Sequence, residues 1–124
     1  MNTKRPVNLD LGKLHFPLPA IISILHRISG IIVFIGMAIL LFLLDRSLSG
    51  ESGFNSVASL LDNPLAKLIL WGILAGLAYH LIAGVKHLIA DFGIGEELAS
   101  ARLAAKATVV ISVIVIVLLG VWIW

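Results

Sequence analysis

Residues 68–85 read LILWGILAGLAYHLIAGV, and this stretch decides the fold. Its 18 residues carry no formal charge when histidine is counted as neutral. An α-helix needs about 20 predominantly apolar residues to cross the hydrocarbon core of a bilayer, which is about 30 Å thick. With a few flanking residues, the stretch is long enough to be a transmembrane helix.

Two more uncharged stretches accompany it, 17 residues over 28–44 and 18 residues over 107–124. The chain has 124 residues, of which 60% are apolar and 13% are charged, whereas about 25% of the residues in a soluble domain are charged. In lipid, backbone N–H and C=O groups have to be paired within the segment, and three spans cannot close a β-barrel. The sequence therefore predicts an all-α integral membrane protein with three transmembrane helices.

The connections between the spans are short, so we expect a single membrane-anchor domain. Asn63 is a suitable N-cap for the second span, and Pro64 is a suitable first helical residue. Residues 45–63, between the first two spans, are rich in Ser and Gly and are expected to form a loop. Within the domain 1–124, the predicted parts are a cytoplasmic lead-in over 1–20 and spans over about 21–44, 64–90 and 101–124.

Lysine and arginine are distributed unequally between the two sides of the membrane. Arg46 and Lys67 belong to the first connection, while the other seven flank the start of the first span or the second connection. Because cytoplasmic loops have the excess of Lys and Arg, we expect the N-terminus in the cytoplasm and the C-terminus outside. This scattered pattern is typical of membrane topology and argues against nucleic-acid binding. The seven are Lys4, Arg5, Lys13, Arg27, Lys86, Arg102 and Lys106.

His80 is an ionisable residue deep in the second predicted span. It lies ten residues from Ala90, or about 15 Å at about 1.5 Å per residue, which is close to the bilayer midplane. An imidazole at this depth needs a partner, and a metal or a hydrogen bond from a neighbouring helix would serve. Glycine recurs every four residues around it, which allows close helix approach or leaves a slot for a porphyrin. These glycines are Gly72, Gly76 and Gly84.

A six-coordinate haem needs a second axial ligand besides His80. His87 lies on the same helix about 10 Å further along, too far to reach the opposite face of the same iron. His26 is expected near the cytoplasmic start of the first span, too shallow for this purpose. If His80 binds haem iron, we expect the second ligand from another polypeptide.

A second group of polar residues lies at the start of the first span. Ser23 and Arg27 are four residues apart and share a helix face, with His26 close by and Lys86 at the same predicted depth. Snorkelling of long side chains would explain Arg27 and Lys86, but it would not explain Ser23 and His26. A pocket for a lipophilic ligand with polar oxygens, such as a quinone, fits this mixture of groups.

Three segments of the sequence are similar to a known family. They are RPVNLDL over 5–11, SILHRISG over 23–30, and LAYHLIAGVKH over 77–87 with DFG over 91–93. The patterns Ser-x2-His-Arg-x-[Ser/Thr]-Gly and His-x3-Gly-x2-His-x3-Asp are specific in combination. Over nearly its whole length, the chain resembles the larger membrane-anchor, cytochrome b subunits of bacterial succinate dehydrogenase, which is respiratory complex II.

The resemblance implies that His80 is an axial ligand of haem b, with the opposite ligand supplied by the smaller anchor subunit. It also implies that Ser23 and Arg27 line the ubiquinone site, and that His26 and Arg27 lie near the haem propionates. The implied partners are the iron–sulfur, flavoprotein and smaller membrane-anchor subunits, in the inner membrane of a bacterium. Electrons would pass from the iron–sulfur subunit to quinone, linking the tricarboxylic acid cycle to aerobic respiration.

The sequence has no flavin or nucleotide motif and no cysteine, so it contains no disulfide or cysteine-ligated iron–sulfur cluster. We expect the chain to be non-catalytic alone, with succinate oxidised by other subunits. The alternative is a purely structural anchor in which His80 is only hydrogen-bonded. A small proton-relaying transporter is disfavoured because Asp91 lies at the interface and no acidic residue lies deep in a predicted span.

Overall fold

The computed structural model describes residues 17–94 and 97–124, which form four α-helices. No strand occurs within these two ranges. Three of the helices, α1, α3 and α4, are long and apolar enough to cross a membrane. The prediction of an all-α membrane protein with three spanning helices is confirmed. The helices are α1 (Leu18–Leu48), α2 (Glu51–Leu61), α3 (Pro64–Asp91) and α4 (Leu98–Ile123).

The long helices begin and end within four residues of the predicted spans. At the start of α3, the Asn63 side-chain oxygen accepts a hydrogen bond from the backbone N–H of Leu65 at 2.8 Å, as expected for an N-cap. Pro64 is the first helical residue. A backbone N–H at this position has no partner within the helix, so a proline, which lacks the N–H, is tolerated there. Most of the predicted lead-in over 1–20, including the 5–11 motif, lies outside the described residues.

The prediction of a loop over 45–63 is wrong, because α1 continues to Leu48 and α2 follows after a short break. The break includes Gly50, whose φ of +142° is a backbone conformation that favours glycine. Ser and Gly content suggested a loop, but the polar residues of α2 recur with helical spacing and lie on one side of it. The residues on that side are Glu51, Ser52, Asn55, Ser56 and Ser59.

α3 lies between the other two spanning helices and packs along both α1 and α4. Among the described residues, the buried apolar core is small: Ile22, Ala83 and Ala105 form one cluster with Leu18 and Tyr79 packed against it, and Ile73 is buried separately. Most large apolar side chains point outward instead. Such exposure is expected where the surrounding solvent is lipid and every face can be apolar.

Glycine permits close contact between α1 and α3. A Cβ atom added to Gly36 would lie 2.5 Å from Ile73 Cγ2, and one added to Gly76 would lie 2.8 Å from Ile32 Cγ2. By contrast, a Cβ atom on Gly72 would meet nothing within 4 Å. The glycine stripe is therefore used for helix packing at Gly76 and not at Gly72.

A tryptophan fixes α3 against α4 at the opposite end from the histidines. The Trp71 indole N–H donates a hydrogen bond to the carbonyl oxygen of Ile116 at 2.8 Å. The ring also meets Trp124 edge-on at a centroid distance of 5.9 Å. Gly120 makes room for it, since a Cβ there would lie 3.0 Å from the indole.

We predict that Gly36→Ala lowers the thermal stability of the protein, because the added methyl group would push Ile73 and separate α1 from α3. Overpacking of this kind costs about 1–3 kcal/mol. The matched control is Gly72→Ala, which adds the same methyl group to open space. Unfolding of both variants in detergent, followed by circular dichroism, measures the difference, and equal midpoints would contradict the prediction.

Candidate functional site: a histidine cluster between α1 and α3

Three histidines from two helices meet at the contact between α1 and α3. The His26 ring of α1 stacks on the His80 ring of α3 at a centroid distance of 4.2 Å and an interplanar angle of 8°. His87, also on α3, meets the His26 ring edge-on, with the two centroids 5.1 Å apart. His80 and His87 share a face of α3 because seven residues are close to two helical turns.

The expectation that His26 is shallower than His80 is wrong. Since α1 begins at Leu18, His26 lies eight residues inside its helix, or about 12 Å. His80 lies eleven residues before Asp91, the last residue of α3. The packing of the two helices brings these depths level, as the stacked rings require.

The stacked arrangement brings ring faces together and not ring nitrogens. The rings of His26 and His80 lie nearly parallel, with their centroids 4.2 Å apart.

Two oxygen atoms of α1 lie close to Nδ1 of His80. The Ser29 hydroxyl donates to the carbonyl oxygen of His26 at 2.7 Å. Its oxygen is 3.0 Å from His80 Nδ1, and the His26 carbonyl oxygen is 3.3 Å from the same nitrogen. A carbonyl oxygen can only accept, so the arrangement suits the tautomer in which Nδ1 carries the ring proton and donates to these oxygens. In that tautomer the lone pair of the ring is on Nε2.

Small residues leave space for these rings in the helix interface. A Cβ atom on Gly30 would lie 3.3 Å from His80 Cε1, and one on Gly84 would lie 3.4 Å from His26 Nε2. One turn away, the Tyr79 hydroxyl donates to the carbonyl oxygen of Ile22 at 2.8 Å. The two helices thus approach closely while their polar groups remain paired, which burial in lipid demands.

Ser23 and Arg27 lie beside the histidine stack on α1, and Arg27 is further from His26 around the helix than Ser23 is. Arg27 is exposed and Ser23 is half-buried. Arg27 directly follows His26 in the sequence, and Ser23 directly follows Ile22. The side chains of both His26 and Ile22 pack towards α3. One residue corresponds to a rotation of about 100° around the helix. The structure brings Ser23 and Arg27 to one side of α1, as their spacing predicts, but not into the histidine stack.

Sequence reasoning missed the role of Ser29. This residue is buried, at 4% exposure, and its hydroxyl oxygen lies 3.0 Å from His80 Nδ1. Its position three residues after His26 was a usable signal, because a helical serine can bond the carbonyl oxygen three or four residues earlier. Its contact with α3 depends on helix packing, which the sequence does not reveal directly.

A family model described as "Succinate dehydrogenase/Fumarate reductase transmembrane subunit" matches residues 1–119. The chain belongs to this family. A protein of Coxiella burnetii named "Succinate dehydrogenase cytochrome b556 subunit" is 48% identical over 125 residues, which is 100% of each chain. Proteins of the same name from Paracoccus denitrificans and Rickettsia bellii are 32% and 31% identical, covering 92% and 95% of this chain and 88% and 92% of their own.

Family membership confirms the resemblance drawn from the SILHRISG and LAYHLIAGVKH segments. The transmembrane character of the family agrees with the three spanning helices, so the chain is a multi-pass membrane protein. In residues 17–94 and 97–124, no group of three His, Cys, Asp or Glu side chains is arranged to hold a metal ion.

Proposed function

We propose that the chain is the haem-binding membrane anchor of a succinate dehydrogenase and forms part of its quinone site. In the proposed complex it assembles with the flavoprotein subunit, the iron–sulfur subunit and the smaller anchor subunit in a bacterial inner membrane. The names of its full-length relatives support the complex, and the word cytochrome in those names supports a haem b. The chain itself contributes no site for succinate oxidation in this proposal.

The single observation that best supports haem binding is the pair of oxygen atoms next to Nδ1 of His80. Metal-binding histidines usually donate their other ring N–H to a carbonyl or a similar acceptor, which fixes the ring and makes it more basic. His80 Nδ1 has such acceptors in Ser29 and the His26 carbonyl. With the ring proton on Nδ1, Nε2 has a lone pair and no hydrogen-bond partner among the described residues, so the imidazole fits the role of an axial ligand.

When bound, a haem b supplies one-electron chemistry at the iron. This chain would contribute one axial ligand, His80, and the smaller anchor subunit would contribute the other. His26 is stacked against His80 and His87 is edge-on to His26, so neither faces the Nε2 atom of His80 across a metal. His26 and Arg27 are proposed to lie near the propionates, where Arg27 supplies a permanent positive charge.

Ser23 and Arg27 are proposed to line the ubiquinone site. Reduction of a quinone places negative charge on its carbonyl oxygens, and a site that accelerates the reaction stabilises that charge. The Ser23 hydroxyl can donate or accept a hydrogen bond, and the Arg27 guanidinium donates without titrating. Arg27 is exposed and Ser23 is half-buried, so another subunit would complete this pocket.

The proposed orientation places the histidine-cluster end of the bundle in the cytoplasmic half of the membrane. Arg27, Lys86, Arg102 and Lys106 belong to this end, whereas Arg46 and Lys67 belong to the opposite one. An excess of Lys and Arg is typical of the cytoplasmic side. The N-terminus would then be cytoplasmic and the C-terminus periplasmic.

We predict that His80→Ala abolishes the low-spin haem b spectrum of the purified complex. The control is His87→Ala, which removes an imidazole from the same face of α3 and should leave a low-spin spectrum. Optical and electron paramagnetic resonance spectra of the two complexes make the comparison. An unchanged low-spin spectrum in His80→Ala would refute the ligand assignment and favour a purely structural anchor.

We predict that Ser29→Ala keeps the low-spin spectrum but raises the midpoint potential of the haem. Without the serine oxygen, the Nδ1–H bond weakens, the imidazole becomes less basic and the oxidised iron is less stabilised. A hydrogen bond worth about 0.5–1.5 kcal/mol sets an upper limit of about 20–60 mV for one electron, which is reached only if the whole bond energy differs between the oxidised and reduced states. The matched control is Ser112→Ala on α4, whose buried hydroxyl has no hydrogen-bond partner among the described residues and whose loss should not shift the potential in a redox titration.

We predict that Ser23→Ala and Arg27→Leu impair quinone reduction while succinate oxidation by a soluble artificial acceptor persists. Loss of a hydrogen bond to a charged group costs about 1.5–3 kcal/mol, so Arg27→Leu should slow quinone reduction about tenfold or more. Arg102→Leu, which removes an exposed arginine at the same end of the bundle, is the control. Equal loss of both activities would indicate defective assembly and would remove the support for a quinone site here.

A further inference from the structure

α2 is an amphipathic helix with a sharp division between its two sides. Its five polar side chains lie on one side, and its apolar residues lie on the other, as the 100° rotation per residue requires. Phe54 and Leu60 are exposed on the apolar side, at 59% and 51%. A helix of this kind next to a spanning helix is suited to the interface between hydrocarbon and water.

A groove of about 520 Å³ lies between the carboxyl end of α1 and α2. Its apolar surface comes from two residues of each helix, and its polar surface comes from one guanidinium and two hydroxyl groups. The apolar residues are Phe42, Leu43, Val57 and Leu60, and the polar residues are Arg46, Ser56 and Ser59. The groove therefore runs along the boundary between the polar and apolar sides of α2.

The depth of the groove matches that of a lipid phosphate. Arg46 is in the last turn of α1, where the apolar span ends and the headgroup region begins. Phe42 lies one turn deeper on the same face of α1, within the hydrocarbon. A molecule with an anionic group next to an apolar chain would place the two parts against Arg46 and Phe42 respectively.

We propose that this groove binds one glycerophospholipid of the adjoining leaflet. Its phosphodiester would accept hydrogen bonds from Arg46 and from the hydroxyl groups of Ser56 and Ser59, and an acyl chain would lie along Phe42 and Leu60. A guanidinium is well matched to phosphate because it can donate two parallel hydrogen bonds.

The charges at this end of the molecule favour a zwitterionic headgroup. Arg46 and Lys67 are accompanied by three carboxylates, those of Asp45, Glu51 and Asp62, so the end has a net negative charge. A headgroup with an additional negative charge would be repelled. A phosphatidylethanolamine has an anionic phosphate but no net charge. Its phosphate would face Arg46, and its ammonium group would be attracted by the surrounding carboxylates.

The test uses the detergent-solubilised complex and a phosphatidylethanolamine with a photoactivatable diazirine in one acyl chain. We expect saturable labelling within residues 42–60, mapped by peptide mass spectrometry. Arg46→Gln should raise the probe concentration needed for half-saturation about tenfold, as expected for the loss of one charge-assisted hydrogen bond. The matched control is Lys67→Gln, which removes a cation at the same end that does not line the groove and should leave the labelling unchanged.

Two further measurements test the proposal even if Arg46→Gln fails to fold. The double variant Ser56→Ala/Ser59→Ala should weaken labelling by a smaller factor, and a phosphatidylglycerol probe should bind wild type more weakly than the ethanolamine probe. Non-saturable labelling that is equal in wild type and Arg46→Gln would overturn the proposal in favour of bulk lipid contact. Absence of label from 42–60 in wild type would overturn it in favour of a protein partner that covers the groove, and stronger labelling by phosphatidylglycerol would overturn the headgroup assignment.

Discussion

The polar contact between α1 and α3 is the interaction on which the rest of the structure depends. It joins the carbonyl oxygen of His26, the hydroxyl of Ser29 and the ring of His80. An unpaired polar group in hydrocarbon costs several kcal/mol, so this contact fixes the register of the two helices. A slip of one helical turn, about 5.4 Å, would take the His80 ring away from both oxygens of α1 and would also remove Gly36 from Ile73.

α3 holds the bundle together because it contacts α1 near one end and α4 near the other, through different polar contacts. Near the histidines it is joined to α1 through His80, and near Trp71 it is joined to α4 through an indole hydrogen bond to a backbone carbonyl. Little else is buried, and side chains such as Phe34 are 81% exposed. Outside a bilayer these apolar surfaces would drive association, so the fold is suited to lipid and to neighbouring subunits.

The sequence predicts the three spans well because the length of an apolar segment and its lack of charges can be read from that segment alone. It failed at α2, where Ser and Gly content outweighed the helical spacing of residues 51–61. It also placed His26 too shallow, since relative depth on two helices depends on their packing register. The pairing of Ser23 with Arg27 was predictable because it needs only a four-residue spacing, whereas the contact of Ser29 with His80 needs two helices.

The segment SILHRISG forms two faces of α1, one that packs against α3 of the same chain and one that is left for a partner subunit. His26 and Ser29 pack against α3, and they prepare the His80 imidazole using groups of this chain alone. Arg27, one residue further round the helix, remains exposed. Under the proposed function, the metal ligand is therefore oriented before assembly, whereas the quinone pocket forms only when another subunit covers this second face. Quinone chemistry would then be restricted to the assembled complex, in which the electron donor is also present.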